Sequence, residues 1–266
     1  MIRLPNEILL KYTSRLQESF SEYKNCANCK GLDQCKNEVL GFCLTPVIDT
    51  NKLKFEYKAC RYKQLKIKEE KGNENVYVYD LPKEIKNAKM KDIFLDDKNR
   101  KEAITWLTNF IKTYNPKNKV KGLYLNGNFG CGKTYLIAAA FNELSKKGIK
   151  SEIVYWPEYL RSLKAFDDES KDNFESIKRI SLLLIDDIGA ENVSAWGRDE
   201  ILGTILQYRM QEGLTTFFTS NLNYEELENA LSLTKNKVDS LKATRIMERI
   251  KNLTTNMTII GENKRD

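Results

Sequence analysis

The sequence predicts an α/β fold, a parallel sheet flanked by helices, preceded by a small α+β domain organised around cysteines. Three observations predict it. From about residue 97 onward, short continuous apolar runs alternate with stretches of helical periodicity, the pattern of parallel strands buried on both faces. A glycine-rich loop joins one of those strands to one of those helices. Five of the six cysteines fall within residues 26–60, ahead of the alternating part.

Each element can be justified in chain order. Leu4, Ile8, Leu9, Tyr12, Leu16 and Phe20 recur at helical spacing, so residues 5–20 read as one amphipathic helix. The cysteine segment follows. Leu53, Phe55 and Tyr57 alternate with Lys54, Glu56 and Lys58, the period of a half-buried strand. Residues 66–76 are charged and nearly free of apolar side chains, which sets a first domain at 1–75, a linker at 76–96 and a second domain at 97–266. Within the second, 97–114 suits a helix ending before Asn115-Pro116, 120–125 a strand, and 132–146 a helix closed by Gly148. Strands are predicted at 151–156, 181–186 and 214–219, a helix at 196–211, and a last helix and strand at 238–251 and 256–260.

Composition narrows the chemistry. The chain has no histidine, which excludes Ser-His-Asp catalysis and histidine metal ligands. The net charge of +7 is spread along the chain and is compatible either with a solvated lysine-rich surface or with weak affinity for nucleic acid. No apolar run is long enough to span a bilayer and the first residues lack signal-peptide architecture, so a cytoplasmic protein without membrane association is expected.

Gly127-Asn128-Phe129-Gly130-Cys131-Gly132-Lys133-Thr134, continued by Tyr135, matches G-x-x-x-x-G-K-[ST] between a strand and a helix. Glycines let the backbone curl so that several N–H groups converge on phosphate oxygens, and the helix N-terminus adds its positive end. Lys133 is expected to reach the β/γ-phosphates and Thr134 to ligate Mg²⁺. Cys131 is expected to be a small filler within the loop.

The run Leu182-Leu183-Leu184-Ile185 then delivers Asp186 and Asp187 at the carboxyl edge of a buried strand, where ligands of parallel sheets bind. Asp186 is expected to hold Mg²⁺. Asp187 is expected to orient or deprotonate the attacking water, since a chain without histidine needs a carboxylate base. Asn221 ends the next strand and either meets the γ-phosphate and the water or caps the following helix, a role Asn223 fills equally well. These residues describe an ATPase binding ATP or ADP with Mg²⁺.

In the first domain, Cys26-x₂-Cys29 reads as a metal knuckle. Thiolates without histidine favour tetrahedral zinc, and five cysteines (Cys26, Cys29, Cys35, Cys43 and Cys60) compete for four places. So small a segment buries little core, and zinc would supply folding free energy, ~10–16 kcal/mol of apparent binding in small fingers.

Taken together, the loop, the Asp186-Asp187 pair and Asn221 in the sensor 1 position resemble the AAA+ ATPases. The longer strings VYWPEYL (154–160), LLLIDDIGAE, WGRDEILGTILQYRM and TTFFTSNL, with the cysteine module, resemble the DnaI family of primosomal helicase loaders, related to DnaC, over roughly residues 22–266. That resemblance implies zinc on Cys26, Cys29, Cys43 and Cys60, with Cys35 spare or replacing Cys43. It implies an arginine finger at Arg249, with Arg245 as alternative, supplied in trans by self-association, and a sensor 2 residue at Arg265.

The partners it implies are a replicative helicase hexamer docked on the zinc domain, single-stranded DNA and other primosome proteins. Asp187 stands where AAA+ enzymes more often carry Glu. The shorter side chain sits further from the water, so slow turnover suited to a switch is expected. A transposition helper of the IstB type shares the core but lacks a comparable cysteine module.

Overall fold

The computed structural model describes residues 5–49, 52–73, 75–79, 81–93, 100–165, 168–234 and 237–261. The chain divides into two compact units, Met1–Glu70 and Lys71–Asp266.

The first unit is α+β. Where one helix is expected over 5–20 there are two, α1 (Asn6–Leu10) and α2 (Thr13–Ala27). Tyr12 leaves helical geometry at φ −114°, ψ 15°, and its ring packs against Phe55 at 6.1 Å. A tertiary aromatic contact thus interrupts a pattern that would otherwise run through. Strands β1 (Phe42–Asp49) and β2 (Lys52–Ala59) form an antiparallel pair with Phe42 opposite Ala59. Helix α2 is clamped to β1 by polar groups. The Ser19 hydroxyl donates to the Leu44 carbonyl at 2.8 Å, and the Glu22 carboxylate accepts from the backbone N–H of Leu44 and of Glu38. Helix α3 (Arg61–Asn73) follows.

The second unit is built on a six-stranded parallel sheet of order β10-β4-β7-β6-β5-β3. In chain order its elements are β3 (Val76–Tyr79), α4 (Lys83–Lys86), α5 (Lys101–Thr113), β4 (Gly122–Gly127), α6 (Lys133–Ser145), β5 (Ser151–Tyr155), α7 (Trp156–Ser162) and α8 (Asp168–Arg179). Then come β6 (Leu182–Asp186), a π-helical turn Trp196–Leu202 running into α9 (Gly203–Glu212), β7 (Thr215–Ser220) and α10 (Tyr224–Ser232). A small ladder of β8 (Leu233–Thr234) with β9 (Lys237–Val238), then α11 (Ser240–Leu253) and β10 (Thr254–Ile259), complete it.

Side chains alternate across the sheet into two cores. Leu123, Leu125, Leu182, Leu184 and Phe217 pack with α5 and α6 on one face. Tyr124, Leu183, Ile185 and Phe218 pack with α7, α9 and α11 on the other. Strands buried on both faces must be apolar throughout, which is why they read as continuous runs.

The expected linker at 76–96 is corrected. Residues 76–79 are the edge strand β3, parallel to β5, and Asn142 on α6 donates to the carbonyls of Lys86 and Ala88. Residues 76–79 and 81–93 therefore belong to the sheet unit. No helix among the described residues is long and apolar enough to cross a membrane.

Fully buried Arg209 on α9 shows how the interior handles charge. It donates to the carbonyls of Ile177, Ile180 and Thr215 and to the Thr216 hydroxyl at 2.7–3.0 Å, satisfying acceptors at the end of α8 and at the start of β7.

Candidate active site

The site lies at the carboxyl edges of β4, β6 and β7, three adjacent strands. Strand β4 ends at Gly127, where only glycine fits: a Cβ there would stand 1.8 Å from the Ile259 carbonyl oxygen. Gly127, Gly130 and Gly132 have φ of 144°, 73° and 84°, a region that disfavours side chains. They curl the chain into the start of α6. Within the loop Cys131 is fully buried, as a filler would be, while Phe129 is exposed. Asn128 presents its carbonyl inward to Lys133, and the Tyr135 hydroxyl accepts the Lys89 N–H.

Lys133 opens α6 and is largely buried. Its ammonium donates at 2.8 Å to the carbonyls of Gly127 and Asn128 and to Asn221 Oδ1. The Asn221 amide nitrogen donates to Asp187 Oδ1 at 3.0 Å. Asn223, and not Asn221, caps α10, in a full capping box with Glu226. Asn221 thereby links the lysine of the loop to the second carboxylate.

Asp186, at the end of β6, is almost fully buried. Its Oδ1 accepts 2.6 Å hydrogen bonds from Thr134 and from Thr219. Burial pushes its carboxyl above the usual range against the opposing pull of those two hydroxyls. Thr134 and Asp186 are thus adjacent oxygen donors, a set suited to a hard divalent cation such as Mg²⁺.

Asp187 is the one non-glycine residue with positive φ, 57°, among the described residues. This conformation is held by its surroundings. The Asp187 N–H donates to the Thr219 hydroxyl at 2.9 Å, the Ile188 N–H to the Thr219 carbonyl at 3.0 Å, and the Ser220 hydroxyl to the Ile188 carbonyl at 2.6 Å. Glu191 braces the far side of the turn. It accepts from the Gly189 N–H at 2.7 Å and from the Trp156 indole N–H at 3.1 Å, and burial pushes its carboxyl up.

Lys133, Thr134, Asp186, Asp187 and Asn221, expected together, are in one hydrogen-bonded chain. Thr219, Glu191 and Trp156 were not anticipated. The available signal was a threonine at the edge of an otherwise filled strand in TTFFTSN, and an acid placed just after a buried acidic pair. Arg249 lies on α11, where its Nη1 donates to the Gly203 carbonyl at 2.9 Å, whereas Arg245, one turn earlier, is exposed. Arg265 lies outside the described residues.

All five cysteines of the first unit line a single cavity. Even so, among the described residues no group of three or more acids or cysteines is arranged to hold a metal ion, and the zinc site expected at Cys26, Cys29, Cys43 and Cys60 is not supported. Cys29 donates to the Gly31 carbonyl at 3.0 Å. The Cys43 thiol is pushed up to about 11 by burial and by the neighbouring Cys26. Cys26 and Cys35, in contrast, accept from Asn37 Nδ2 and the Gly41 N–H.

Comparison with known proteins places this geometry. The AFG1-like ATPase family matches residues 77–262. The replicative helicase loader DnaI of Bacillus subtilis (strain 168) is 34% identical over 265 residues, 98% of this chain and 85% of that one. A crystal structure of DnaI shares 43% identity with a TM-score of 0.65, covering 73% of this chain and all of that one. A primosome component from Streptococcus pyogenes serotype M3, described as putative, shares 36% identity with a TM-score of 0.62, covering 73% and 97%. The DnaC helicase loader shows the same fold at 24% identity, with a TM-score of 0.57, covering 67% and 99%.

Proposed function

The chain belongs to the AFG1-like ATPases and to the family of DnaI, and from that premise we propose that it loads the replicative DNA helicase under the control of ATP. The observation that carries the reading is the extent of the similarity. Identity to the helicase loader runs over 98% of this chain, so it includes the first unit as well as the ATPase. A relationship confined to the ATPase would fit many switches; one that extends through the cysteine-bearing unit fits a loader.

In the reaction, Lys133 is the phosphate-gathering group. Its donors are directed to Gly127, Asn128 and Asn221, so meeting a β/γ-phosphate means exchanging one or more of these acceptors for phosphate oxygens. Release of Asn221 frees the same side chain that holds Asp187, which couples phosphate arrival to the orientation of the base. Thr134 and Asp186 would hold Mg²⁺, whose chemistry is to neutralise charge across the β- and γ-phosphates. Asp187 accepts the proton of the attacking water, and its short side chain favours slow turnover. Arg249 of a neighbouring copy supplies transition-state charge, with Arg245 as the alternative, and Arg265 senses bound nucleotide.

The first unit docks on the helicase hexamer, in the cytoplasm, with single-stranded DNA and other primosome proteins as further partners. Zinc on Cys26, Cys29, Cys43 and Cys60 would organise it; the support is that these sulfurs share one cavity.

The test is reconstitution of the full chain with its cognate helicase on circular single-stranded DNA, with ATP, with ADP or without nucleotide. The helicase is expected to copurify with the chain and to appear on DNA in a nucleotide-dependent way. Equal helicase loading with and without the chain, under all three conditions, sinks the reading.

A further inference from the structure

Arg100 precedes α5 and is only 3% exposed, yet its Nε has no hydrogen-bond partner among the described residues. A buried guanidinium normally spends its donors as Arg209 does, on fixed acceptors. The position of Arg100 is set by two helices. It stands at the N-terminal end of α5, where a helix presents its positive pole. Its Nη2 also lies against Gly132, the residue from which α6 starts: a Cβ built on Gly132 would be 3.0 Å from Nη2 and 3.7 Å from Cζ. The first turn of α6 carries no acidic side chain and contains Lys133. The Arg100 guanidinium therefore lies beside the N-terminal turn of α6, at the phosphate loop. A buried guanidinium with an unspent donor beside a helix N-terminus is suited to an anion.

We propose that Arg100 is a nucleotide-binding residue whose guanidinium contacts the diphosphate shared by ATP and ADP at the Gly132 turn. The γ-phosphate end of the site is marked separately, by Asp186, Asp187 and Asn221 at the ends of β6 and β7. The Arg100 guanidinium lies beside the start of α6, and so it contributes to affinity for both nucleotides and not to their discrimination. Gly132 is glycine for two reasons: its φ of 84° and the room the guanidinium needs. The proposal rests on the phosphate loop binding nucleotide at all, and the experiment separates the two.

The full chain is titrated with MgADP, MgATPγS and adenosine by calorimetry, and the nucleotide-free proteins are melted in parallel. If the unaltered chain fails to bind MgADP, the reading of the loop fails. If it binds, Arg100→Gln is expected to weaken MgADP and MgATPγS alike, by about 10- to 100-fold, the effect of one charge-assisted hydrogen bond. Adenosine binding stays unchanged, the nucleotide-free melting temperature does not fall, and Arg100→Lys recovers part of the loss. Unaltered MgADP affinity in Arg100→Gln overturns the proposal. So does an equal loss for adenosine, which would place the contact on the base. Should Arg100→Gln not fold, Arg100→Lys decides: a several-fold loss for MgADP supports the contact, and full affinity refutes it.

Discussion

Thr219→Val removes one hydroxyl and changes almost nothing in volume, yet the structure predicts a large effect. That hydroxyl donates to Asp186 Oδ1 at 2.6 Å and accepts the Asp187 N–H at 2.9 Å, and the residue is 1% exposed. Valine leaves the Asp187 N–H unpaired, a cost of about 1–3 kcal/mol for a buried donor. It also removes a hydrogen bond to a carboxylate, worth about 1.5–3 kcal/mol. The losses share one atom and do not fully add, so about 3–4 kcal/mol is expected, a large share of the roughly 5–15 kcal/mol of a typical domain.

Thr219→Ser retains the hydroxyl and loses a methyl group, costing about 1 kcal/mol. Urea unfolding of the nucleotide-free chain, followed by far-UV dichroism, ranks the variants. ATP turnover adds a second readout, because the same N–H holds Asp187 at φ 57°. Valine is expected to be worse than serine in both assays. A valine variant as stable as the parent, or a serine variant that is the worse of the two, refutes the assigned role of the hydroxyl.

Other expectations concern separate parts of the molecule. Burial raises the Glu152 carboxyl from 4.5 to about 7 against the hydrogen bond from Ser176. An acid with a raised folded value favours the folded state below its unfolded value and loses that contribution as pH rises through the folded one. Glu152→Gln should therefore outlast the parent above pH 7 by up to about 3 kcal/mol and converge with it near pH 4.5; a difference independent of pH in urea titrations contradicts this.

Arg249→Ala should cut turnover by ~10³ or more while ATP still binds. Mixing it with Asp187→Asn should restore part of the activity, since each supplies what the other lacks; absence of any recovery argues against a finger in trans. Protein purified under reducing conditions should carry one zinc per chain by elemental analysis. Cys60→Ser should lose it and Cys35→Ser keep it, and a metal-free parent refutes the zinc assignment.

Those elements that carry their own signal were legible from the sequence. Strands buried on both faces announce themselves as apolar runs, and the glycine-lysine-threonine loop has a spacing that few other structures require. The bonds that complete the site were not. Lys133 meets Asn221, and Asp187 meets Thr219, only because β4, β7 and β6 are neighbours, and strand order leaves no local trace in the chain. The edge strand β3 was missed for a related reason. Four residues, VYVY, beside a charged stretch become a strand by pairing with β5, a partner some 75 positions away. The break at Tyr12 depends on Phe55 in the same manner.

The sheet order has a consequence for how the protein is made. Strand β4, which carries the phosphate loop, lies between β7 and β10, both synthesised after it. Asn126 on β4 donates to Asn256 and accepts from Thr258, and Gly127 pairs with Ile259. A nascent chain that has just released its phosphate loop from the ribosome cannot yet shape it. The loop waits for well over a hundred further residues, which makes nucleotide binding a late report that the whole ATPase unit has been translated and closed.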